Sequence, residues 1–200
     1  MTTRTNGDIL TMKRAVARGG AGIEAVEVTD GPVPQPGPGE ALVRLTAATL
    51  NYRDLLFAKG ALPGLTKEPD YVPLSCAAGE VLAIGERVDR VRVGDRVSPT
   101  FYQGAKPDEA SSPAMLGGSA DGVARTHGVF PVESLVLLPD ELGDFDAATL
   151  PCAGLTAWRA LFGPRPLQRG ETVLLQGTGG MSLAALQWAK AMGATVAITS

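Results

Sequence analysis

A glycine-rich turn near the end of the sequence has the residue types and spacing of a phosphate-binding turn. Gly177-Thr178-Gly179-Gly180 follows a short apolar run, and from Met181 onward the apolar residues recur with helical spacing. A pyrophosphate binds well to the free backbone N–H groups and the positive dipole end of a helix. Gly177 allows a tight turn, and Gly179 lets the backbone approach the phosphates without a clashing Cβ.

The residues around this turn predict a strand, a helix and a second strand. The first strand spans Thr172 to Gln176, the helix stops at Gly193, and the second strand covers Thr195 to Thr199. Ser182 holds the third small position, which lets such a helix pack closely on its strand. The pattern indicates the opening βαβ unit of a dinucleotide-binding fold, with an ordinary βα turn as the alternative. The predicted apolar face of the helix consists of Met181, Ala184, Ala185, Trp188 and Met192.

The second strand of this unit bears on which nucleotide binds. A P-loop is excluded first, because no Lys-Ser or Lys-Thr pair follows the glycines. Enzymes that use NAD place an acidic residue at the end of the second strand, on the ribose hydroxyls. Here the strand ends in Thr199 and Ser200, which are small and uncharged and leave room for a 2′-phosphate. The sequence therefore favours NADPH over NADH.

Composition and length exclude several classes of protein. The chain has 200 residues, is 44% hydrophobic and 20% charged, and carries a net charge of −3, so one or two domains with a real core are expected. The sequence has no basic run, no membrane-spanning apolar run and no signal peptide, so nucleic acid and membrane are not expected partners. Cys76 and Cys152 are too few for a disulfide framework, which favours two reduced, buried thiols in the cytoplasm.

The rest of the chain divides into a β-rich part and an α/β part. Residues 1–11 lack periodicity and predict a flexible leader. Residues 12–150 consist of short strands separated by Gly/Pro turns, which predicts a barrel-like β domain. Within it, Met12 to Arg18 and Gly22 to Val28 predict a hairpin, the segment 31–40 predicts a rigid connector rather than a flexible linker, and 101–121 predicts a polar surface loop. Asp144 and Asp146 are expected to cap a short helix near the end of this domain. Residues 151–200 form the start of the dinucleotide-binding domain, since a full doubly wound sheet needs about six strands.

Four segments occur in the order found in medium-chain dehydrogenases/reductases. They are NYRDLLFAKG, AAGEVLAIGERVDRVRVGDRV, LPCAGLTAW and QGTGGMSLAALQWAKAMGATVAITS. From Met12 to Ser200 the sequence resembles this family, and most closely its zinc-independent, quinone-oxidoreductase-like branch. The resemblance implies an α/β protein: an N-terminal GroES-like β-barrel domain for the substrate, then a truncated Rossmann domain for NAD(P)H. It also implies a homodimer, with the cofactor in the cleft between the domains.

The resemblance provides a test for metal. In the zinc alcohol dehydrogenases of this family the catalytic ion is held by a Cys, a His and a further Cys. The aligned positions here are Asn51, Ser75 and Cys152, and only the last could ligate zinc, whereas a catalytic site needs about three protein ligands. The acidic residue expected after the His aligns with Cys76, and the single histidine, His127, has no suitably spaced partner. The protein is therefore predicted to bind no metal.

Without zinc, the protein orients the nicotinamide and stabilises developing oxyanion charge. Tyr52 is the predicted donor to a carbonyl or quinone oxygen, with Asn51 beside it; a plain helix start is the alternative for this segment. Arg53 could meet a phosphate, with Asp54 orienting it or capping the helix. The Leu-Thr-Ala motif resembles that of the family and implies that Thr156 contacts the nicotinamide or phosphate side, the alternative being a mid-helix Thr bonded to its own backbone.

The sequence thus predicts a zinc-free, NADPH-dependent reductase or dehydrogenase for a quinone, an activated alkene or a carbonyl/alcohol substrate. The alternative is a chain without activity of its own, either a fragment or a binding module; a zinc alcohol dehydrogenase is disfavoured by the ligand count. The open edge of a two-stranded unit predicts either dimerisation or local disorder after about Gly170. The predicted catalytic residues are Tyr52 and Asn51. The predicted cofactor-binding residues are Arg53, Thr156, Gly177, Thr178, Gly179, Gly180, Met181, Ser182 and Ser200.

Overall fold

The structure is a computed structural model that describes residues 11–67, 69–104 and 114–200. Residues 1–10 of the predicted leader lie outside this range, whereas Thr11 already belongs to the first strand. Among the described residues, none of the helices has the length and apolar character needed to cross a membrane.

The N-terminal part is built around an antiparallel sheet of five strands in the order β10-β6-β5-β3-β9. Its inward positions carry β-branched and aromatic side chains, which suit a pleated, half-buried surface. Val43, Val81, Val97 and Phe130 are almost completely buried in the resulting core. The five strands are β3 (Glu40–Thr49), β5 (Cys76–Ile84), β6 (Arg96–Pro99), β9 (His127–Pro131) and β10 (Leu135–Leu137).

A second antiparallel sheet has the order β2-β1-β4. Its β1 and β2 form the predicted hairpin, but β2 continues into the segment predicted as a connector, because Pro32 still pairs with Thr11. Pro32 is tolerated there since β2 is an edge strand. The N–H of Ala15 donates to the carbonyl of Ala124 at 2.7 Å, which ties this sheet to the segment leading into β9. The three strands are β1 (Thr11–Arg18), β2 (Glu27–Pro32) and β4 (Asp70–Tyr71).

The polar loop predicted over 101–121 falls only partly within the described residues. Its two ends pair as short antiparallel strands, β7 (Tyr102–Gln103) and β8 (Ala114–Met115). Leu116 directly follows β8 and is only 2% exposed, as part of the main core. The end of the segment is therefore anchored by an apolar side chain rather than lying wholly on the surface.

Two short helices flank the point where the β domain ends. Helix α1 (Tyr52–Ala58) starts directly after β3, and α2 (Asp144–Ala148) precedes a π-helical turn at Leu150–Gly154. The expectation that Asp144 and Asp146 cap α2 is wrong, because the N-cap is Gly143 and no side chain caps it. Asp144 instead accepts hydrogen bonds from the hydroxyl of Thr46 (2.7 Å) and from Nη2 of Arg96 (2.6 Å). Asp144 thus forms an ion pair with Arg96 in the β domain instead of capping its own helix.

The C-terminal part contains the predicted βαβ unit. Strands β11 (Thr172–Gln176) and β12 (Thr195–Thr199) pair in parallel and are joined by α4 (Gly180–Ala191), as the sequence predicts. Gly193 has a left-handed φ of 77°, which suits the predicted helix stop.

The face of α4 that packs matches the predicted apolar face only in part: Ala184, Ala185 and Trp188 belong to the packed face, and the two methionines do not. Met181 and Met192 are 45% and 43% exposed, whereas Ala185 and Ala189 are buried. The alanines lie in a core shared with helix α3 (Leu155–Phe162). Small side chains at the contact let the two helices approach closely, so the larger methionines lie outside it.

Candidate functional site

Four polar or sulfur side chains that are distant in sequence meet at one end of the β domain. The Nδ2 of Asn51 donates to the Sγ of Cys76 at 3.3 Å, and the Oγ of Ser75 lies 3.3 Å from the same sulfur. Cys152 lies in the π-helical turn, which packs against β5, the strand that Cys76 begins. Asn51, Ser75 and Cys152 are the positions that the resemblance aligned with the zinc ligands, Cys76 is the one aligned with the acidic residue, and the fold brings their segments together.

The cluster changes the acidity of both thiols. Hydrogen bonding from Cys152 lowers the pKa of Cys76, with further lowering by Ser75 and Asn51, and together these donors outweigh the burial that opposes them. The same hydrogen bond raises the pKa of Cys152, because it must give up the proton it donates. These opposite shifts favour ionisation of Cys76 before Cys152. Cys76 is buried as predicted, whereas Cys152 is only half-buried.

Helix α1 fixes the position of Asn51. Asp54, at the third position of the helix, accepts a hydrogen bond from the backbone N–H of Asn51 at 2.8 Å, as in a capping box. Asp54 therefore caps the helix, and its Oδ1 also lies 3.8 Å from Nε of Arg53, so both predicted contacts of this carboxylate are present. Burial is the largest influence on this carboxyl and raises its pKa above the ordinary value.

Arg53 turns into the β domain. Its guanidinium lies 4.9 Å from the ring centroid of Phe57 and 4.4 Å from that of Phe101, and it donates to the carbonyl of Leu116. Burial lowers its pKa, and it is close enough to both thiols for its charge to act on them. The structure thus places Arg53 beneath the thiol cluster, held by aromatic rings.

Two cavities meet at Asn51. The first, of 480 Å³, is strongly apolar and lies between α1 and the hairpin; Tyr52 lines it and is 75% exposed. The second, of 270 Å³, lies between the β domain and the βαβ unit. Its walls are formed by Thr49, Leu50, Asn51, Thr149, Leu150, Ala153, Gly180, Leu183, Ala184, Gln187 and Trp188. We call this second cavity the inter-unit cleft.

The glycine turn has the geometry that its sequence predicts. Gly177 has a left-handed φ of 81°, and Gly179 is the N-cap of α4. A Cβ at either position would meet no atom within 4 Å, so the backbone conformation favours glycine at Gly177, whereas nothing in the chain demands it at Gly179. Ser182 donates through its hydroxyl to the carbonyl of Gln176 at 3.0 Å, which ties α4 to the end of β11. The open space above a helix N-terminus fits a pyrophosphate.

Other predicted site residues lie at the surface. Thr178, Met181 and Ser200 are exposed, and Thr156 is exposed on α3. The hydroxyl of Thr199, one residue before the end of the chain, accepts a hydrogen bond from the N–H of Gly177 at 3.3 Å. Thr199 therefore links the end of β12 to the phosphate-binding turn.

Sequence reasoning treated the two cysteines as separate buried thiols. The two cysteines come together because of the π-helical turn at Leu150–Gly154, and the spacing of apolar residues did not predict this turn. The alignment with the zinc ligands was the available signal, because those positions must converge in any protein that shares the fold. His127 lies in β9 with its Nδ1 3.0 Å from the hydroxyl of Thr126. Within the described ranges, no group of three or more His, Cys, Asp or Glu side chains is arranged to hold a metal.

Comparison with known proteins identifies the family. Residues 37–140 match the alcohol dehydrogenase GroES-like domain. The chain belongs to the medium-chain dehydrogenase/reductase superfamily. The predicted family and the predicted α/β fold, a GroES-like domain followed by the start of a Rossmann unit, are thereby confirmed.

Three relatives illustrate the similarity. A zinc-type alcohol dehydrogenase-like protein of Schizosaccharomyces pombe is 42% identical over 186 residues, covering 90% of this chain and 54% of that protein. The acryloyl-coenzyme A reductase of Metallosphaera sedula is 37% identical over 196 residues, covering 92% and 57%. The structure of a quinone oxidoreductase from Pseudomonas syringae pv. Tomato DC3000 matches with a TM-score of 0.77 and 30% identity, covering 94% and 53%. The chain thus spans about half the length of the relatives it matches.

Proposed function

We propose that this chain carries the substrate domain and the first nucleotide-binding unit of a zinc-independent, NADPH-dependent oxidoreductase. The proposed reaction is hydride transfer between the nicotinamide and a carbonyl or alcohol, a quinone or an activated alkene. The observation that carries the proposal is the inter-unit cleft, because Asn51 and Gly180 line the same cavity. One wall offers a polar donor for a substrate oxygen, and the other offers the N-terminus of α4 for a phosphate.

The proposed phosphate site is formed by backbone rather than by side chains. The N–H groups of Gly180, Met181 and Ser182 belong to the first turn of α4, where no acceptor exists within the helix. A pyrophosphate would supply these acceptors, and the space above Gly177 and Gly179 would admit it. A dinucleotide therefore fits the residues that are present.

NADPH is preferred in this proposal because of the residues that end β12. Thr199 and Ser200 place hydroxyls where NAD enzymes carry a carboxylate, so a 2′-phosphate would meet no like charge there. Thr178, exposed in the turn, and Thr156, exposed on α3, are proposed as further contacts to the cofactor.

The bound nicotinamide would supply or accept the hydride. The chain's own part is to hold the substrate oxygen and to stabilise charge that develops on it. An amide NH₂ has two donors; Asn51 uses one on the Cys76 sulfur, and the other is proposed to donate to the substrate. Tyr52, exposed beside Asn51, is the proposed proton donor, and the charge of Arg53 adds positive potential beneath the site.

A homodimer in the cytoplasm, with no nucleic acid or membrane partner, completes the proposal. Within the described residues, β11 and β12 pair only with each other. Leu174 is 62% exposed, while its neighbour Leu175 is buried against the helices, so the face of this small sheet that carries Leu174 is uncovered. Pairing of two copies along this unit would cover such a surface.

The test is titration of the chain with NADPH and with NADH, followed by fluorescence. Saturable binding with NADPH preferred supports the proposal. Gly179→Asp provides a sharp perturbation, because Asp is a good N-cap and preserves the helix but places a negative charge in the phosphate site. Gly179→Ser is the matched control, since it caps equally well without the charge. We expect Gly179→Asp to lose NADPH binding and Gly179→Ser to retain most of it, with both as thermally stable as the parent.

Two results would decide against parts of the proposal. Binding that is unaffected by Gly179→Asp would place the nucleotide elsewhere. A folded chain that binds neither nucleotide would favour the alternative, in which these residues alone are a fragment or a binding module without activity.

A further inference from the structure

The apolar cavity of 480 Å³ between α1 and the β1–β2 hairpin lies beside the inter-unit cleft, and we call it the hairpin cavity. Its volume falls within the range of about 300–1,000 Å³ that is typical of small-molecule sites, which are also mostly apolar. Three small side chains line it, those of Ala15 and Ala17 on β1 and of Ala124 in the segment leading into β9. The backbone hydrogen bond from Ala15 to Ala124 holds two of them together. The space is therefore left open by alanines on fixed backbone.

The hairpin cavity is continuous with the inter-unit cleft. Leu50 and Asn51 line both of them, and Tyr52 lines the hairpin cavity beside Asn51. Leu50 is 80% exposed, although its side chain is large and apolar. A ligand that extends from the cleft into the hairpin cavity would cover this side chain. A substrate whose oxygen is held by Asn51 therefore has an apolar space next to it.

The opposite sides of the hairpin cavity are tied to each other. The N–H of Gly22, in the turn of the hairpin, donates to the carbonyl of Ala58 near the end of α1 at 2.9 Å. Ile23 and Val26 line the cavity from the hairpin side, and Leu55 lines it from α1. Ile23 is 52% exposed and Val26 is 37% exposed. Exposed apolar side chains grouped around one concave surface are typical of a ligand site.

The charges around the hairpin cavity favour an uncharged ligand. Among the described residues that line it, none is Lys, Arg or His, and Asp54 provides the single carboxylate. Asp54 already accepts from the N–H of Asn51 at 2.8 Å, and its other oxygen lies 3.8 Å from Nε of Arg53. An anion would find no counter-ion here and a cation would find a carboxylate that is already paired. Burial of either charge would be unfavourable.

We propose that the hairpin cavity receives the apolar tail of an uncharged substrate whose carbonyl is held at Asn51. The substrate is then a ketone, an enone, a quinone or the corresponding alcohol, with an aliphatic or aromatic substituent on the side that enters the cavity. This inference rests on the proposed function, because that proposal places the reacting oxygen at Asn51. Ala15 and Ala124 determine the specificity, since larger side chains there would occupy the space of the tail.

The experiment measures dissociation constants for methyl ketones of increasing chain length by saturation-transfer NMR, with the chain free of nucleotide. We expect the affinity to rise by up to about fourfold for each added CH₂ until the cavity is filled. Octanoate and octylammonium have the tail of the eight-carbon ketone but carry a charge. We expect each to bind at least about tenfold more weakly than that ketone.

Two variants fill the hairpin cavity from different segments, Ala15→Leu and Ala124→Leu. In each, the affinity for the eight-carbon ketone should fall at least about tenfold, because the added carbons displace a similar length of tail. The rise with chain length should also stop at a shorter ketone. Val16→Leu is the matched control, since Val16 follows Ala15 on β1 but lines a different cavity on the other face of the strand. We expect its affinity to stay within about twofold of the parent.

Three outcomes would overturn the inference: affinity that does not depend on chain length, octanoate or octylammonium binding as tightly as the ketone, or unchanged binding in both cavity-filling variants. If a variant fails to fold, the chain-length series and the charged probes in the parent chain still decide. Ketone binding without NADPH binding would reject the proposed cofactor site alone. NADPH binding without the chain-length dependence would reject this inference alone.

Discussion

The ion pair between Asp144 and Arg96 connects the start of α2 to the β domain, and its removal gives the most detailed prediction. Asp144 accepts from Nη2 of Arg96 at 2.6 Å and from the hydroxyl of Thr46 at 2.7 Å. The Arg96 guanidinium also donates to the carbonyl of Leu142 and to that of Pro139, at 3.3 Å for the latter. Arg96 therefore binds both the carboxylate and the loop that leads into α2.

The size of the effect follows from the burial of the pair. Both side chains are 30% exposed. The pair is therefore intermediate between a buried ion pair and a fully exposed one, which contributes about 0–1 kcal/mol to stability. Hydrogen bonds to charged groups contribute about 1.5–3 kcal/mol each. Because solvent partly screens these bonds, we expect Asp144→Ala to lower the free energy of unfolding by about 2 kcal/mol. In a chain of this size that corresponds to a fall in Tm of about 4–8 °C.

Asp146→Ala is the matched control. Asp144 and Asp146 both lie in the first turn of α2, so both favour the helix dipole to a similar degree. Only Asp144 makes the bonds to β3 and β6. The free energy of unfolding, measured with urea and circular dichroism, should fall further in Asp144→Ala than in Asp146→Ala, by at least about 1 kcal/mol. Equal losses would refute the reasoning, because the tertiary network would then add nothing beyond the helix dipole.

The pH dependence of this pair has a definite sign. Hydrogen bonding from Thr46, and then from Arg96, lowers the pKa of Asp144 in the folded chain. A depressed pKa stabilises the fold fully above the unfolded pKa of about 3.9, and this contribution is lost as the pH falls through the folded value. The difference in stability between the parent and Asp144→Ala should therefore be constant near neutral pH and should shrink below about pH 4.

Three further predictions concern the cofactor preference, the thiol and the core. Ser200→Asp should shift the preference from NADPH towards NADH in paired titrations, because the new carboxylate repels a 2′-phosphate; an unchanged ratio would show that Ser200 does not face the ribose. Hydrogen bonding, chiefly from Cys152, lowers the pKa of Cys76 to about 6, so the ultraviolet absorbance of its thiolate should appear with a midpoint near pH 6 and at higher pH in Cys152→Ala; equal midpoints would contradict the role of Cys152. Gly122→Ala should prevent stable folding, because its Cβ would lie 1.9 Å from the carbonyl oxygen of Leu74; a soluble variant with the Tm of the parent would contradict this.

The glycine turn and its flanking elements could be predicted from the sequence because their determinants are local. The strand Thr172–Gln176, the stop at Gly193 and the strand Thr195–Thr199 appear where predicted. A positive φ, a helix N-terminus and an alternation of apolar residues each depend on a few consecutive positions. The role of Asp54 was predictable for the same reason, since a capping contact spans only three residues.

Contacts between distant segments could not be predicted in this way. The sequence suggested Asp144 as a local cap, but the fold brings Arg96 close enough for an ion pair. A hydrogen bond between two charged groups is stronger than one from a backbone N–H, so the carboxylate binds Arg96. The apolar face of α4 included Met181 and Met192, yet α3 packs on the alanines, because close helix contact favours small side chains.

The sequence by itself determined the family, the order of the β domain and the βαβ unit, and the residue types at the phosphate-binding turn. Only the tertiary structure decided that Asn51, Ser75, Cys76 and Cys152 form one cluster. The physical reason is that hydrogen bonds and thiol acidity depend on distances of a few ångströms between side chains. Those distances are set by the packing of β5 against the π-helical turn rather than by any pattern along the chain.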